Sequence, residues 1–155
     1  MFKMAILGAG AIAHKMSNTI SQMENVEPYI IADVNIEKAK EVGEKYGYTK
    51  ICGSVDDILA DDQVDLVYIA LPHSLHYKFT KICLEGGKNV LCEKSFTVSA
   101  SQAKEILALA EEKKLLLQEA IWTRYMPSRK MIDDIIASGV IGEVTSLTAN
   151  LGYEL

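Results

Sequence analysis

A chain of 155 residues is about one domain long, and 49% hydrophobic with 24% charged residues is an ordinary globular composition with material for a core. A formal net charge of −5 and a pI near 5.2 rule out the basic footprint of a nucleic-acid binder, since such a surface releases no counterions on DNA or RNA. No run approaches the ~20 apolar residues of a membrane span, so no membrane partner is expected.

Lys3–Leu7 reads as a first strand, and the turn at Gly8–Ala13 leads into a helix reaching about Met23. Met1 to Ala13 superficially resembles a secretory leader, but Gly8 and Gly10 interrupt the apolar run, which continues directly into a βα pattern. Tyr29–Asp33 is predicted as the second strand and Ile36–Tyr46 as a charged helix ended by Gly47. Lys50–Cys52 is a short third strand. Ser54 and Asp57 make a capping pair for a helix through Ala60. Asp65–Leu71 is nearly all apolar, as a strand covered on both faces should be. A helix over Leu75–Leu84 stops at Gly86-Gly87, and Lys88–Cys92 is the fifth strand.

Ser99 with Gln102 forms a second capping box, followed by Ala103, Ile106, Leu107 and Ala110 on one helical face. Leu115–Ala120 is the sixth strand. Pro127 suits a helix start, and Met131, Ile132, Ile135 and Ile136 give that helix an apolar stripe, with Gly139 ending it. Glu143–Leu151 alternates like a strand. The three cysteines, Cys52, Cys83 and Cys92, have no CxxC spacing and lie in or beside apolar stretches. Buried free thiols in a reducing cytoplasm are expected. Strand-helix alternation of this kind predicts an α/β, doubly wound parallel sheet in the order 3-2-1-4-5-6, a Rossmann fold. Any ligand should sit outside the carboxyl ends of strands one and four.

The candidate chemistry falls there. Gly8-Ala9-Gly10-Ala11-Ile12-Ala13 is a G-x-G-x-x-A fingerprint. Gly8 permits the tight turn, Gly10 admits a pyrophosphate to the backbone, and Ala13 allows close helix–strand packing, with the helix N-terminus facing the phosphates. Asp33 follows Ala13 at about the 20-residue spacing of a carboxylate that holds ribose hydroxyls; the plainer reading is a helix-capping Asp. A carboxylate there repels a 2′-phosphate, and Val34 and Asn35 follow rather than an Arg, so NAD is favoured over NADP. Pro72, His73 and His76 follow the fourth strand, without the third ligand that a metal pair would need. Glu93 and Lys94 follow the fifth. A Lys in such a cleft can serve as acid or base; the alternative is a solvated loop residue.

GAGAIA, Asp33, LVYIALPHSLH, GGKNVLCEKS and EAIWTRY together resemble the glucose-fructose oxidoreductase / inositol dehydrogenase family, most closely its dihydrodiol and sugar dehydrogenase branch. The resemblance runs from Met1 to about Val144. It implies a cofactor site of Gly8, Gly10, Ala11, Ile12, Ala13, Asp33, Leu71, Pro72, His73, His76, Glu93, Lys94, Trp122 and Arg124. Within it, Lys94 is implied to be catalytic beside the nicotinamide and the substrate hydroxyl, and Glu93 to bind the nicotinamide ribose. Trp122 and Arg124 match a motif near the nicotinamide and the substrate pocket, although Trp122 also suits a domain-interface core. Ser95 stands where the family has Pro, which leaves the aim of Lys94 open.

The resemblance further implies hydride transfer from a CH–OH group of a sugar, polyol or cyclic diol. A single strand over Glu143–Leu151 would have unpaired edges, and the apolar stripe of Met131, Ile132, Ile135 and Ile136 would seek cover, so self-association into a homo-oligomer, or else disorder from about Gly142, is expected. Residues 1–122 are expected to form the cofactor domain, and 123–155 the start of a truncated, sheet-rich substrate domain. The rival expectation is a noncatalytic dinucleotide-sensing module. A methyltransferase also ends its second strand with an acid, but the G-x-G-x-x-A spacing and Glu93-Lys94 argue against it.

Overall fold

The computed structural model describes residues 1–150 and Gly152. Six parallel strands, β1 (Phe2–Leu7), β2 (Val26–Ala32), β3 (Lys50–Cys52), β4 (Leu66–Ile69), β5 (Asn89–Glu93) and β6 (Leu117–Ala120), lie in the order β3-β2-β1-β4-β5-β6. This is the Rossmann order, and the direction of winding reverses between β1 and β4.

Alternate side chains along each strand enter two separate cores. Ala5, Leu7, Ile30, Ala32, Val67 and Ile69 face one side, while Met4, Ile6, Ile31, Leu66 and Tyr68 face the other. The first side takes Ile58 from α3 (Val55–Leu59), Cys83 and Leu84 from α4 (His73–Glu85), and Ile106 and Ala110 from α5 (Ala100–Lys113). The second takes Ala13 and Ile20 from α1 (Ala11–Ile20) and Ala39 and Val42 from α2 (Ile36–Tyr46). Burial on both faces is why these strands read as apolar runs. Cys83 and Cys92 are buried thiols, which burial pushes up to about 12 and about 11, so neither is a ready nucleophile. Cys52 is half-buried.

Local chemistry sets most boundaries. Gly47 ends α2 in the left-handed conformation, and Ser54 and Asp57 make the reciprocal capping box at α3. At α5, Ser99 accepts from the Gln102 amide, but Gln102 reaches back to Val98 rather than to the cap residue itself.

Several details differ from the sequence expectation, among them that α1 stops at Ile20, β4 is confined to Leu66–Ile69 and β6 starts at Leu117. β2 starts three residues early, at Val26, because a shift in register between Met4 and Ala5 accommodates Pro28. α4 starts at His73, with Pro72 as its N-cap. Leu107 is exposed, and Leu109 packs on the core beside Ile106 and Ala110 instead, because the helix is turned toward that side.

The sheet unit covers Met1–Ala120, and a second compact unit starts at Ile121. In this second unit a 3-10 turn at Trp122–Tyr125 precedes α6 (Pro127–Ala137), with Pro127 in its first turn as expected. Met131, Ile132, Ile135 and Ile136 are exposed. The strand expected over Glu143–Leu151 is not formed at residues 143–150, and Leu151 lies outside the described residues. An alternating pattern makes a strand only where a neighbour supplies the ladder, and no pairing involves this segment among the described residues.

Candidate functional site

The turn after β1 joins three strand ends. Gly8 donates to the Ala32 carbonyl at 2.7 Å, and Ala70 donates to that of Leu7 at 2.8 Å. Gly8 has φ +103°, and a Cβ there would stand 2.6 Å from the Ala70 oxygen, so both the conformation and the space demand glycine. Gly10 caps α1, and the position of its absent Cβ is open space. The first α1 bond runs from His14 to Gly10, which leaves the amides of Gly10, Ala11, Ile12 and Ala13 without intrahelical acceptors. Ala13 is fully buried on the sheet. A positive helix end with an unobstructed approach fits a pyrophosphate.

Asp33 braces this turn. Its Oδ2 accepts from the Ala9 amide and its Oδ1 from the Asn35 amide, each at 2.8 Å. The α2 cap is Asn35, whose side chain accepts from Glu37 and Lys38, so Asp33 is not the capping residue. Each carboxylate oxygen keeps a lone pair for a further donor. Asp33 adjoins a cavity of about 100 Å³ walled by Leu7, Val55, Leu71, Leu75 and Phe79, with Ser54 contributing. Val34 beside it is 96% exposed and offers no cation.

A second cavity of about 170 Å³ is lined by Ile12, Leu71, His73, Glu93 and Lys94. Leu71 thus lines both. The Glu93 carboxylate is held twice: the Tyr68 hydroxyl donates to Oε1, and the Lys94 amide donates to Oε2 at 3.0 Å. Burial, reinforced by Glu93, pushes the Tyr68 phenol well above its ordinary value, so it stays a donor. The segment after Lys94 is also anchored. Phe96 donates to Glu119 Oε1 at 2.9 Å. The Lys94–Ser95 peptide bond is cis, and the Lys94 side chain is exposed.

Gly8, Gly10, Ala11, Ile12, Ala13, Asp33, Leu71, Pro72, His73, Glu93 and Lys94 therefore gather around the carboxyl ends of β1, β2, β4 and β5. His76 differs from expectation. It is fully buried, with Nδ1 2.7 Å from the Ser95 carbonyl and Nε2 2.8 Å from that of Leu71, so it supports the cavity walls rather than facing a ligand. Trp122 and Arg124 lie on the 3-10 turn of the second unit, outside the sheet unit that carries both cavities. Sequence reasoning missed Tyr68, Glu119 and the walls Ser54, Val55, Leu75 and Phe79. Only Tyr68 had left a signal, as the one hydroxyl within an otherwise apolar strand. A wider groove of about 510 Å³ contains the Lys50–Asp61 ion pair, whose charges already satisfy each other.

Residues 2–121 match the model of an oxidoreductase family described by its NAD-binding Rossmann fold. The chain is 51% identical over 102 residues to a D-xylose 1-dehydrogenase (NADP(+)) of Hypocrea jecorina, covering 66% of this chain and 26% of that protein. It is 32% identical over 152 residues to the trans-1,2-dihydrobenzene-1,2-diol dehydrogenase of Mus musculus, covering 97% and 46%. The crystal structure of KijD10, a 3-ketoreductase from Actinomadura kijaniata in complex with NADP, superposes with a TM-score of 0.85 at 31% identity, covering 92% of this chain and 45% of that one. The chain thus spans about a quarter to a half of the length of these relatives. With the fingerprint turn, the sheet order and the family match in agreement, the chain belongs to the glucose-fructose oxidoreductase / inositol dehydrogenase family, and the matched residues are its nicotinamide-dinucleotide-binding Rossmann domain.

Proposed function

We propose that the adenosine half of a nicotinamide dinucleotide occupies the Asp33 cavity and the nicotinamide half the Lys94 cavity, with the pyrophosphate over Gly10. The observation that carries this reading is the pair of cavities sharing Leu71, combined with the open approach at Gly10. The apolar walls at Leu75 and Phe79 suit an adenine face, and the free lone pairs of Asp33 suit ribose hydroxyls. When bound, the nicotinamide supplies hydride chemistry.

In this reading the enzyme acts on a CH–OH group of a sugar, polyol or cyclic diol. Support comes from relatives whose names specify D-xylose and a dihydrodiol. Glu93 holds the nicotinamide ribose, and Lys94 helps to carry the proton of the substrate hydroxyl. Trp122 and Arg124 contribute to the substrate side, and the protein works in the cytoplasm as a homo-oligomer.

NAD is the preferred cofactor, a departure from the two relatives named with NADP. A 2′-phosphate about 4 Å from Asp33 would cost about 1–4 kcal/mol at surface-type dielectrics, and Val34 supplies no compensating charge. Calorimetric titration of the chain with NADH and NADPH tests both levels of the proposal. NADH is expected to bind at least tenfold tighter, as ~1.4 kcal/mol per tenfold implies. Equal affinities would overturn the preference, and binding of neither would overturn the site.

A further inference from the structure

Glu93 is a charged side chain at the end of an inner strand, with a partly open cavity on one side and the sheet interior on the other. An exposed carboxylate there would sample several rotamers, and each would present a different pair of lone pairs to a ligand. In the structure it has one arrangement. Oε2 receives the amide of the next residue, Lys94, at 3.0 Å, and Oε1 receives the Tyr68 hydroxyl from the neighbouring strand. The two strands are in register as Tyr68↔Leu91 and Ile69↔Cys92, so Glu93 extends one residue past the last ladder pair. Tyr68 is the only contact of the pair that comes from outside the loop itself.

Tyr68 is also unusual in its own surroundings. It is 1% exposed, sits in a core with Ile6, Ile31 and Leu66, and is the largest fully buried side chain of the domain. A buried hydroxyl costs free energy unless it finds a partner, and here its partner is the carboxylate of the cavity rather than a structural group. Phenylalanine would fill the same volume without that obligation.

We infer that Tyr68 is a positioning residue: its hydroxyl fixes the Glu93 carboxylate in the one orientation that meets the ribose on the nicotinamide side. The inference rests on the placement of the nicotinamide half proposed above. Tyr68 touches no ligand itself. It acts by removing the rotamer freedom of Glu93 before binding, so less ordering remains to be done when the cofactor arrives.

Tyr68→Phe in the full chain isolates one oxygen atom and leaves the packing intact. Three quantities read the outcome: NADH affinity by fluorescence titration, AMP affinity by calorimetry, and hydrogen exchange at the Lys94 amide. A charged-group hydrogen bond of ordinary strength corresponds to roughly a tenfold loss of NADH affinity in the variant, with AMP affinity unchanged because AMP uses only the Asp33 end. Lys94 exchange should accelerate once Glu93 is released, and Tyr68→Phe,Glu93→Ala should lose little more NADH affinity than Glu93→Ala alone, since alanine leaves the hydroxyl nothing to hold. A merely structural Tyr68 would lower the melting temperature and leave the ratio of NADH to AMP affinity where it was, which overturns the inference. Unchanged Lys94 exchange overturns it too, without reference to any cofactor. Failure of wild type to bind NADH would count against the placement of the nicotinamide half, while the exchange measurement would still decide the role of Tyr68.

Discussion

The two cavities at the carboxyl edge of the sheet are built on opposite principles. The Asp33 cavity is walled by aliphatic and aromatic side chains, Leu7, Val55, Leu71, Leu75 and Phe79, and its single charge also braces two backbone amides. The Lys94 cavity concentrates ionisable groups, and its walls are fixed by the hydrogen bond that Tyr68 donates, those His76 makes to carbonyls and the one Glu119 accepts from Phe96. Shape is cheap to hold in a packed core, since burial at about 25 cal/mol per Å² fixes apolar side chains without directional bonds. Direction is not. A group that must meet a reacting atom needs partners: Tyr68 of β4 holds the Glu93 carboxylate, while His76 of α4 and Glu119 of β6 hold the backbone at Leu71, Ser95 and Phe96. The first end is therefore suited to recognising a flat apolar moiety, and the second to aligning one for chemistry.

Substitutions separate the two ends. Lys94→Ala is expected to have the largest effect, confined to the chemical step: turnover of the enzyme falls by roughly 10²–10⁴ while cofactor affinity changes little. Steady-state kinetics beside an NADH titration would detect this, and near wild-type turnover would reduce Lys94 to a solvated loop residue. Asp33→Asn acts at the other end and more weakly. It removes the charge that opposes a 2′-phosphate, so NADPH affinity should rise relative to NADH by about tenfold. The amide oxygen cannot accept from both Ala9 and Asn35 as two carboxylate oxygens do, so a stability loss of about 0.5–1.5 kcal/mol should accompany it in thermal unfolding. An unchanged cofactor ratio would place the adenosine ribose elsewhere.

The same contrast explains what could be read from the sequence. The strands announce themselves as apolar runs because both faces are covered, and the Ser54–Asp57 box and Gly47 punctuate helices through contacts a few residues long. The fingerprint turn is likewise local. The bracing of the site is not: Ala9 meets Asp33 across 24 residues, Tyr68 meets Glu93 across 25, and His76 meets Ser95 across 19. No periodicity encodes such pairs, which is why His76 resembles a ligand-facing residue in the sequence and proves to be buried among carbonyls. Leu107 and the segment at residues 143–150 fail for a related reason. Periodicity tells which residues share a face, and only the neighbouring element decides whether that face is covered or paired.

The direction of the cofactor along the edge of the sheet decides the role of every residue in both cavities. A crystal structure of the chain grown with NADH measures it directly. Adenine is expected against Leu75 and Phe79, a ribose on Asp33, the pyrophosphate at the amides of Gly10–Ala13, and the nicotinamide beside Glu93 and Lys94. Density with the nicotinamide at Phe79, or with the dinucleotide away from the Gly10 turn, would contradict it.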